Sequence, residues 1–250
     1  MSGQFSLPDY RAMIEAGRES GYRYLTFAEV ADGAADEGRQ CLLRHDVDAS
    51  IAFALDMAHA EAAAGVRSTY FLMPRSPAYN LLGRHASLAV REMVGLGHDV
   101  GLHFDAAHPL VSAATLDRLI AAEAALVGEL SGNPVRAFSF HQPSAEIIAK
   151  RVAIPGLINT YNPDQLEGWH YVSDSNRLWK AETGLELLRE ATHPKLQLLV
   201  HPMWWVSDAA TTEQVWDEAI GSNFEIMQQQ FLDTERAYGG RRAMELKRNA

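Results

Sequence analysis

The stretch CLLRHDVD (41–48) is an apolar, strand-like run that closes on two aspartates, and four other runs end on histidine or aspartate in the same way: HDVGLHFD (98–105), RAFSFHQP (136–143), HYVSDS (170–175) and LQLLVHP (196–202). In a parallel α/β barrel the carboxyl ends of the strands open onto one face, so side chains far apart in sequence meet there. The repetition therefore predicts both a fold and the place of its site.

Working outward from 41–48, strands and helices alternate. An Ala-rich helix over about 50–64 stops at Gly65 and is followed by the strand STYFLM (68–73), which makes one βαβ unit. A helix at 85–96 ends at Gly97 and feeds the strand of 98–104; TLDRLIAAEAALVGEL (115–130) has the spacing of an amphipathic helix stopped by SGNP. A strand at 136–140, a short helix at 144–151, strands near 157–160 and 170–173, a helix at 183–191 and a strand at 196–200 continue the series. That makes about seven parallel strands, one short of the usual eight. Beyond Pro202 the spacing of Val215, Trp216, Ile220, Phe224, Met227 and Phe231 is helical to the end. The reading is one domain over 1–250, with covering elements in 1–40 and a helical segment over 208–250.

Composition narrows the partners. Of 250 residues, 47% are hydrophobic and 22% charged, enough apolar material for a large core. A formal charge of −10 repels a phosphate backbone, which excludes nucleic acid; the basic cluster Arg241, Arg242, Lys247, Arg248 reads as a solvated helix end. The lone Cys41 forms no internal disulfide, the amino terminus has no export signal, and no apolar run approaches the roughly 20 residues of a membrane span. These features point to a cytoplasmic chain without membrane contact, of undetermined oligomeric state.

Asp46 and Asp48 share one face of an extended chain, where one can bind a divalent cation and the other serve as general base. The plain alternative makes Asp48 a helix cap. His98, Asp99, His103, Asp105 and His108 fall within eleven residues, a ligand set suited to zinc and related metals. His103 stands at the strand's carboxyl end; His98, five residues earlier, faces the other way and suits a structural hydrogen bond. His108 lies in the loop before Pro109, where it can turn to a metal or face solvent. His201, after the run 196–200, belongs at the barrel mouth, where a histidine can protonate a leaving group, with Asp174 to orient it or merely to form a turn. Trp169, Trp179, Trp204 and Trp205 lie near strand ends and suit sugar faces as well as packing.

In order, RHDVD, GHDVGLHFD, FSFHQP, SDSNRLW and LLVHP resemble the five motifs of the polysaccharide deacetylase family, also called NodB-homology or carbohydrate esterase family four, over Cys41 to Met203. The resemblance implies a distorted (β/α) barrel of fewer than eight strands, Asp46 as base, Asp48 and His103 as metal ligands, and His201 with Asp174 as the acid pair. The family's second ligand histidine falls at Ala107, so His108, one position late, takes the third ligand place. His141, Gln142 and Pro143 stand where an arginine and a proline usually line the groove, and Trp179 and Trp204 join His141 and Gln142 as substrate contacts. The implied function is metal-dependent removal of an N-acetyl group from an amino sugar or glycan intermediate, with zinc as the first choice of cation. Hydrolysis of a small non-sugar amide or cyclic ureide, and non-catalytic glycan binding on the same scaffold, are the alternatives.

Overall fold

The computed structural model describes residues 5–33 and 37–239; the basic cluster at 241–248 lies outside them. In chain order the elements are α1 (Leu7–Glu19), β1 (Tyr22–Leu25), α2 (Phe27–Ala31), β2 (Arg39–Val47), α3 (Ile51–Ala63), β3 (Thr69–Leu72), α4 (Arg84–Gly95), β4 (Asp99–Phe104), α5 (Leu116–Ser131) and β5 (Ala137–Phe140). They continue with α6 (Ala145–Ala149), β6 (Ile158–Asn159), β7 (His170–Ser173), α7 (Gly184–Glu190), β8 (Lys195–Val200), α8 (Pro202–Val206) and α9 (Thr212–Thr234).

Seven strands form a parallel sheet in the order β6-β5-β4-β3-β2-β8-β7. β1 joins it beside the first half of β2, pairing residues 39–42, while β3 pairs residues 44–47 of the same edge. The sheet curls into a half-closed barrel. Tyr161, just past β6, brings its ring to 6.1 Å from Tyr171 of β7, and Gln197 of β8 donates to the Thr160 carbonyl at 3.2 Å. These contacts bridge the two ends of the strand order without a ladder between β6 and β7.

β2 has the near-continuous burial expected of a strand covered on both faces. One outer layer packs α3, α4 and α5 around Tyr70, Phe104, Phe138 and Phe140; another packs α1, α3, α7 and α8 around Tyr10, Met57, Leu198 and Trp205. Inside, Leu25, Phe27, Leu42, Phe71, Ala137 and Leu166 fill the lower half of the barrel. Gly101 is required there, because a Cβ at that position would stand 2.5 Å from the Phe71 ring. The amino-terminal segment thus supplies part of the barrel's filling through Phe27, as well as a strand and an outer helix.

The carboxyl-terminal helical pattern is interrupted at 207–211, where Thr211 opens α9 with a capping box to Gln214. α9 buries Val215 and Ala219, and Asn223 fastens it by donating to the carbonyls of Ala49 and Ala78 at 2.7 and 2.9 Å. No described helix is long and apolar enough to cross a membrane.

Beneath α3 lies a charged group fully shielded from water. Glu61 takes hydrogen bonds from Tyr10, from Ser68 at 2.6 Å and from Tyr70 at 2.7 Å, and pairs with His45 Nε2 at 2.7 Å. His45 Nδ1 meets the Val200 carbonyl at 3.2 Å, so this ring ties β2 to the last residue of β8. His98 points outward, its Nε2 donating to the Ala58 carbonyl at 2.9 Å, the structural role its spacing implied. Burial pushes the Glu61 carboxyl up, but His45, His98 and the hydroxyl donors outweigh it and bring its pKa down to about 2. A carboxyl depressed on folding stabilises the native state above its unfolded value, about 4.5, and that stability is lost as pH falls toward about 2. Thermal melts should show this acid loss in the wild type, and Glu61→Gln should flatten it while costing about 3–5 kcal/mol at neutral pH.

Candidate active site

Side chains alternate along a strand, so Leu42, Arg44 and Asp46 of β2 point into the barrel. Arg44 has no solvent exposure. Its Nε and Nη2 hold the two oxygens of Asp46 at 2.9 and 2.7 Å, and Nη2 also donates to the Tyr161 hydroxyl at 3.1 Å. The guanidinium carbon lies 4.8 Å from the centre of the Tyr161 ring and 5.4 Å from that of Phe71. Burial alone raises the Asp46 pKa, yet Arg44 first and His103 second hold it well below the usual carboxylate range. Asp46 is therefore ionised at neutral pH.

Asp48 lies just past the end of β2. It does not cap α3, because Ser50 does: its hydroxyl accepts the Phe53 amide at 3.3 Å. Asp48 instead sets Oδ1 3.0 Å from His103 Nε2 and Oδ2 3.8 Å from His201 Nε2. On the far side of His103, Nδ1 meets Ser139 Oγ at 2.7 Å, and Ser139 donates to Asp46 at 3.3 Å. A hydroxyl has one proton, so with Ser139 donating to Asp46 it accepts from His103 Nδ1–H. That assignment leaves a bare lone pair on Nε2 facing a carboxylate. A cation between them, either a proton on the ring or a divalent metal, relieves the repulsion, and carboxylate with neutral imidazole is a donor set that zinc-like metals accept. Burial raises the Asp48 pKa, and His103 and His201 together bring it below its ordinary value.

Asp174 follows β7 and is completely buried. It accepts from His201 Nδ1 at 2.6 Å, from the His201 amide at 3.1 Å and from Trp205 Nε1 at 2.7 Å. This is a carboxylate orienting an imidazole, not a turn former. Burial lowers the His201 pKa, but Asp174, Asp48 and Asp46 reverse that and lift it to about 9. Since Nδ1 is committed to Asp174, Nε2 faces the cluster.

The structure thus brings Asp46, Asp48, His103, Asp174 and His201 together from β2, β4, β7 and β8. His108 lies in the loop after β4, where its Nδ1 accepts the Leu110 amide at 3.3 Å. Among the described residues, Asp48, His103 and His108 do not gather their ligand atoms within 4.8 Å of one another. The ring seen against His103 is that of His141, perpendicular to it at 5.4 Å between centroids. Gln142, next along the mouth, is exposed and holds a left-handed backbone with φ 40°, a strain that concentrates at functional loops. The tryptophans expected to meet substrate make apolar contacts instead. Trp204 is 4% exposed with its ring edge-on to Trp216, and Trp179 packs on Phe5 and Trp205. Arg44 and Ser139 are site residues that the sequence reading passed over. Period-two spacing from Asp46 exposes Arg44; nothing local marks Ser139 within an apolar strand.

No protein-family model and no curated protein matches the sequence. Solved structures do. A CE4 family pseudoenzyme from Bacillus anthracis matches at 17% identity and TM-score 0.45, over 78% of this chain and 63% of that one. A family 4 carbohydrate esterase from Bacillus anthracis matches at 16% identity and TM-score 0.43, over 85% and 84%. One from Streptomyces lividans, in complex with acetate, matches at 18% identity and TM-score 0.43, over 76% and 90%. The structural likeness is to family 4 carbohydrate esterases. It spans less than two thirds of the length of the pseudoenzyme.

The buried pair gives a stability test. Arg44→Met strands the Asp46 carboxylate in the barrel and should lower the unfolding free energy by about 3–5 kcal/mol in urea titrations; Arg44→Met with Asp46→Leu should recover much of that loss.

Proposed function

We propose that this chain is a metal-dependent hydrolase that removes an acyl group, acetyl in the first instance, from the nitrogen of an amino sugar or glycan intermediate. One observation carries the reading. The Asp48–His103 pair and the Asp174–His201 pair, from four separate strands, meet at the barrel mouth, with His201 Nε2 3.8 Å from Asp48 Oδ2. The order of the five motifs supports the same family and the sugar substrate class.

Asp48 and His103 would hold a divalent cation, zinc first, with His108 of the following loop proposed as third ligand. Such an ion polarises the acyl carbonyl and makes water a stronger acid. Asp46, ionised and fixed by Arg44, accepts the proton of the attacking water. Its depressed pKa makes it a weak base. Ser139 keeps His103 in the tautomer whose Nε2 is available, by accepting a hydrogen bond from Nδ1–H and donating its own to Asp46. Asp174 does the corresponding work for His201, whose Nε2 delivers a proton to the departing amine. That delivery is needed because an amide anion is a very poor leaving group. His141 and Gln142 line the mouth and meet the sugar.

Chelator-treated protein should lose turnover of acetylated amino sugars, assayed by acetate release, and regain it with zinc. Asp48→Asn should abolish both metal retention and turnover. Activity that persists after metal removal overturns the reading; a chain that never binds metal at the mouth yet binds glycans would be the non-catalytic relative. His201→Gln should retain metal and lower kcat by about 10²–10⁴ with a small change in KM. Unchanged kcat would remove His201 from the reaction.

A further inference from the structure

A second group of ligand-type side chains lies at the other end of the barrel. His170 is the first residue of β7, His193 precedes β8 by two residues, and Glu182 stands in the loop just before α7. One ligand atom from each lies within 4.8 Å of the other two, and among the described residues this is the group of three such side chains that comes so close. The mouth is at the carboxyl ends of the same strands, so the two places are separated by the length of β7 and β8.

We propose that His170, Glu182 and His193 form a binding site for a divalent first-row cation such as zinc, at the amino ends of β7 and β8 and distinct from the mouth.

The donors are two imidazoles and one carboxylate, a set that zinc, copper and nickel accept. Among the described residues none of the three side chains has a hydrogen bond or an ion pair; the two imidazole rings stack, 3.8 Å apart and 5° from parallel.

The backbone beneath them is fixed. His170 is in register with Leu196 in the β7–β8 ladder, and the Tyr22 hydroxyl donates to the His193 carbonyl at 2.6 Å. Glu182 adjoins Thr183, which closes the capping box of α7 with Glu186. Only side-chain rotations separate the present arrangement from a bound one. Because the rings are parallel, an ion in the plane of one lies outside the plane of the other, so one must turn about its Cβ–Cγ bond. Both rings are half-buried and Glu182 is exposed, so neither motion meets a packed core. Zinc takes such donors at roughly 2.0–2.2 Å.

A cation here would staple α7 at both flanks, through Glu182 before it and His193 after it, to the edge strand β7. β7 leads into Asp174 and β8 into His201, so the ion would clamp at the base the two strands that carry the acid pair at the top. The site does not depend on the proposed reaction.

The test is zinc chloride titrated calorimetrically into untagged, chelator-stripped full-length protein, wild type beside Glu182→Gln, His170→Gln and His193→Gln. Whatever the mouth holds, the wild type should bind one zinc more per chain than His170→Gln or His193→Gln. Glu182→Gln should weaken that added zinc about tenfold, a cost of about 1.4 kcal/mol. Its melting temperature without metal should match the wild type, since Glu182 is exposed and carries no fold contact. Equal stoichiometry in all four proteins, or a wild type whose zinc binding does not saturate at an integer value, overturns the proposal.

Discussion

A guanidinium with no access to water can persist only beside a matched negative charge, and this requirement organises the interior. Arg44 has its match two residues along the same strand, in Asp46, and its remaining donors reach Tyr161 and Gln197. Those partners come from the stretch after β6 and from β8, so one cation gathers parts of the sheet that share no ladder. The pair is local in sequence and so costs little chain entropy to form, while the contacts it recruits are distant. An ion pair of this kind adds little net stability against a hydrophobic replacement, but losing half of it is severe. The arrangement therefore acts as a constraint on geometry more than as a source of stability.

β2 is constrained on both faces by the same principle. Arg44 and Asp46 point inward; between them His45 points outward to Glu61, which collects three hydroxyl donors as well. Because His45 also meets the Val200 carbonyl, the outer network is connected to the residue before His201. The positions of Asp46 and Asp48 on one strand, and of His201 on its neighbour, are thus set by buried polar contacts on opposite sides of one sheet. Apolar packing alone allows small slides; satisfied buried hydrogen bonds do not.

Much of this is legible in the sequence. β2, β4 and β8 read clearly because strands buried on both faces are apolar runs, and their last residues stood out as charged or imidazole-bearing. The parallel order followed from the alternation with helices. β6 has only two residues and β1 opens a segment of mixed pattern, so neither shows a clean period. The break at 207–211 escaped notice because the apolar spacing resumes in register on the far side. At the site, Asp48 and His201 stand at strand ends, whereas Ser139 matters through neighbours on other strands, which spacing does not reveal. Glu61 is hidden for a different reason: an acid in an Ala-rich helix looks like a surface residue until the histidines opposite it are seen. The tryptophans show the converse, since aromatic residues near strand ends pack against one another as readily as against a ligand.

The plug of Phe27, Phe71 and Leu42, made possible by the missing side chain at Gly101, turns the barrel into a blind cup. Among the described residues, that plug closes the end of the barrel opposite the mouth. A polymer cannot thread through such a vessel; it reaches the bottom of the cup only by laying a short segment or a chain end across the rim. For the reaction proposed above, the rim would then serve as entrance and exit alike, and the loops that frame it would govern both.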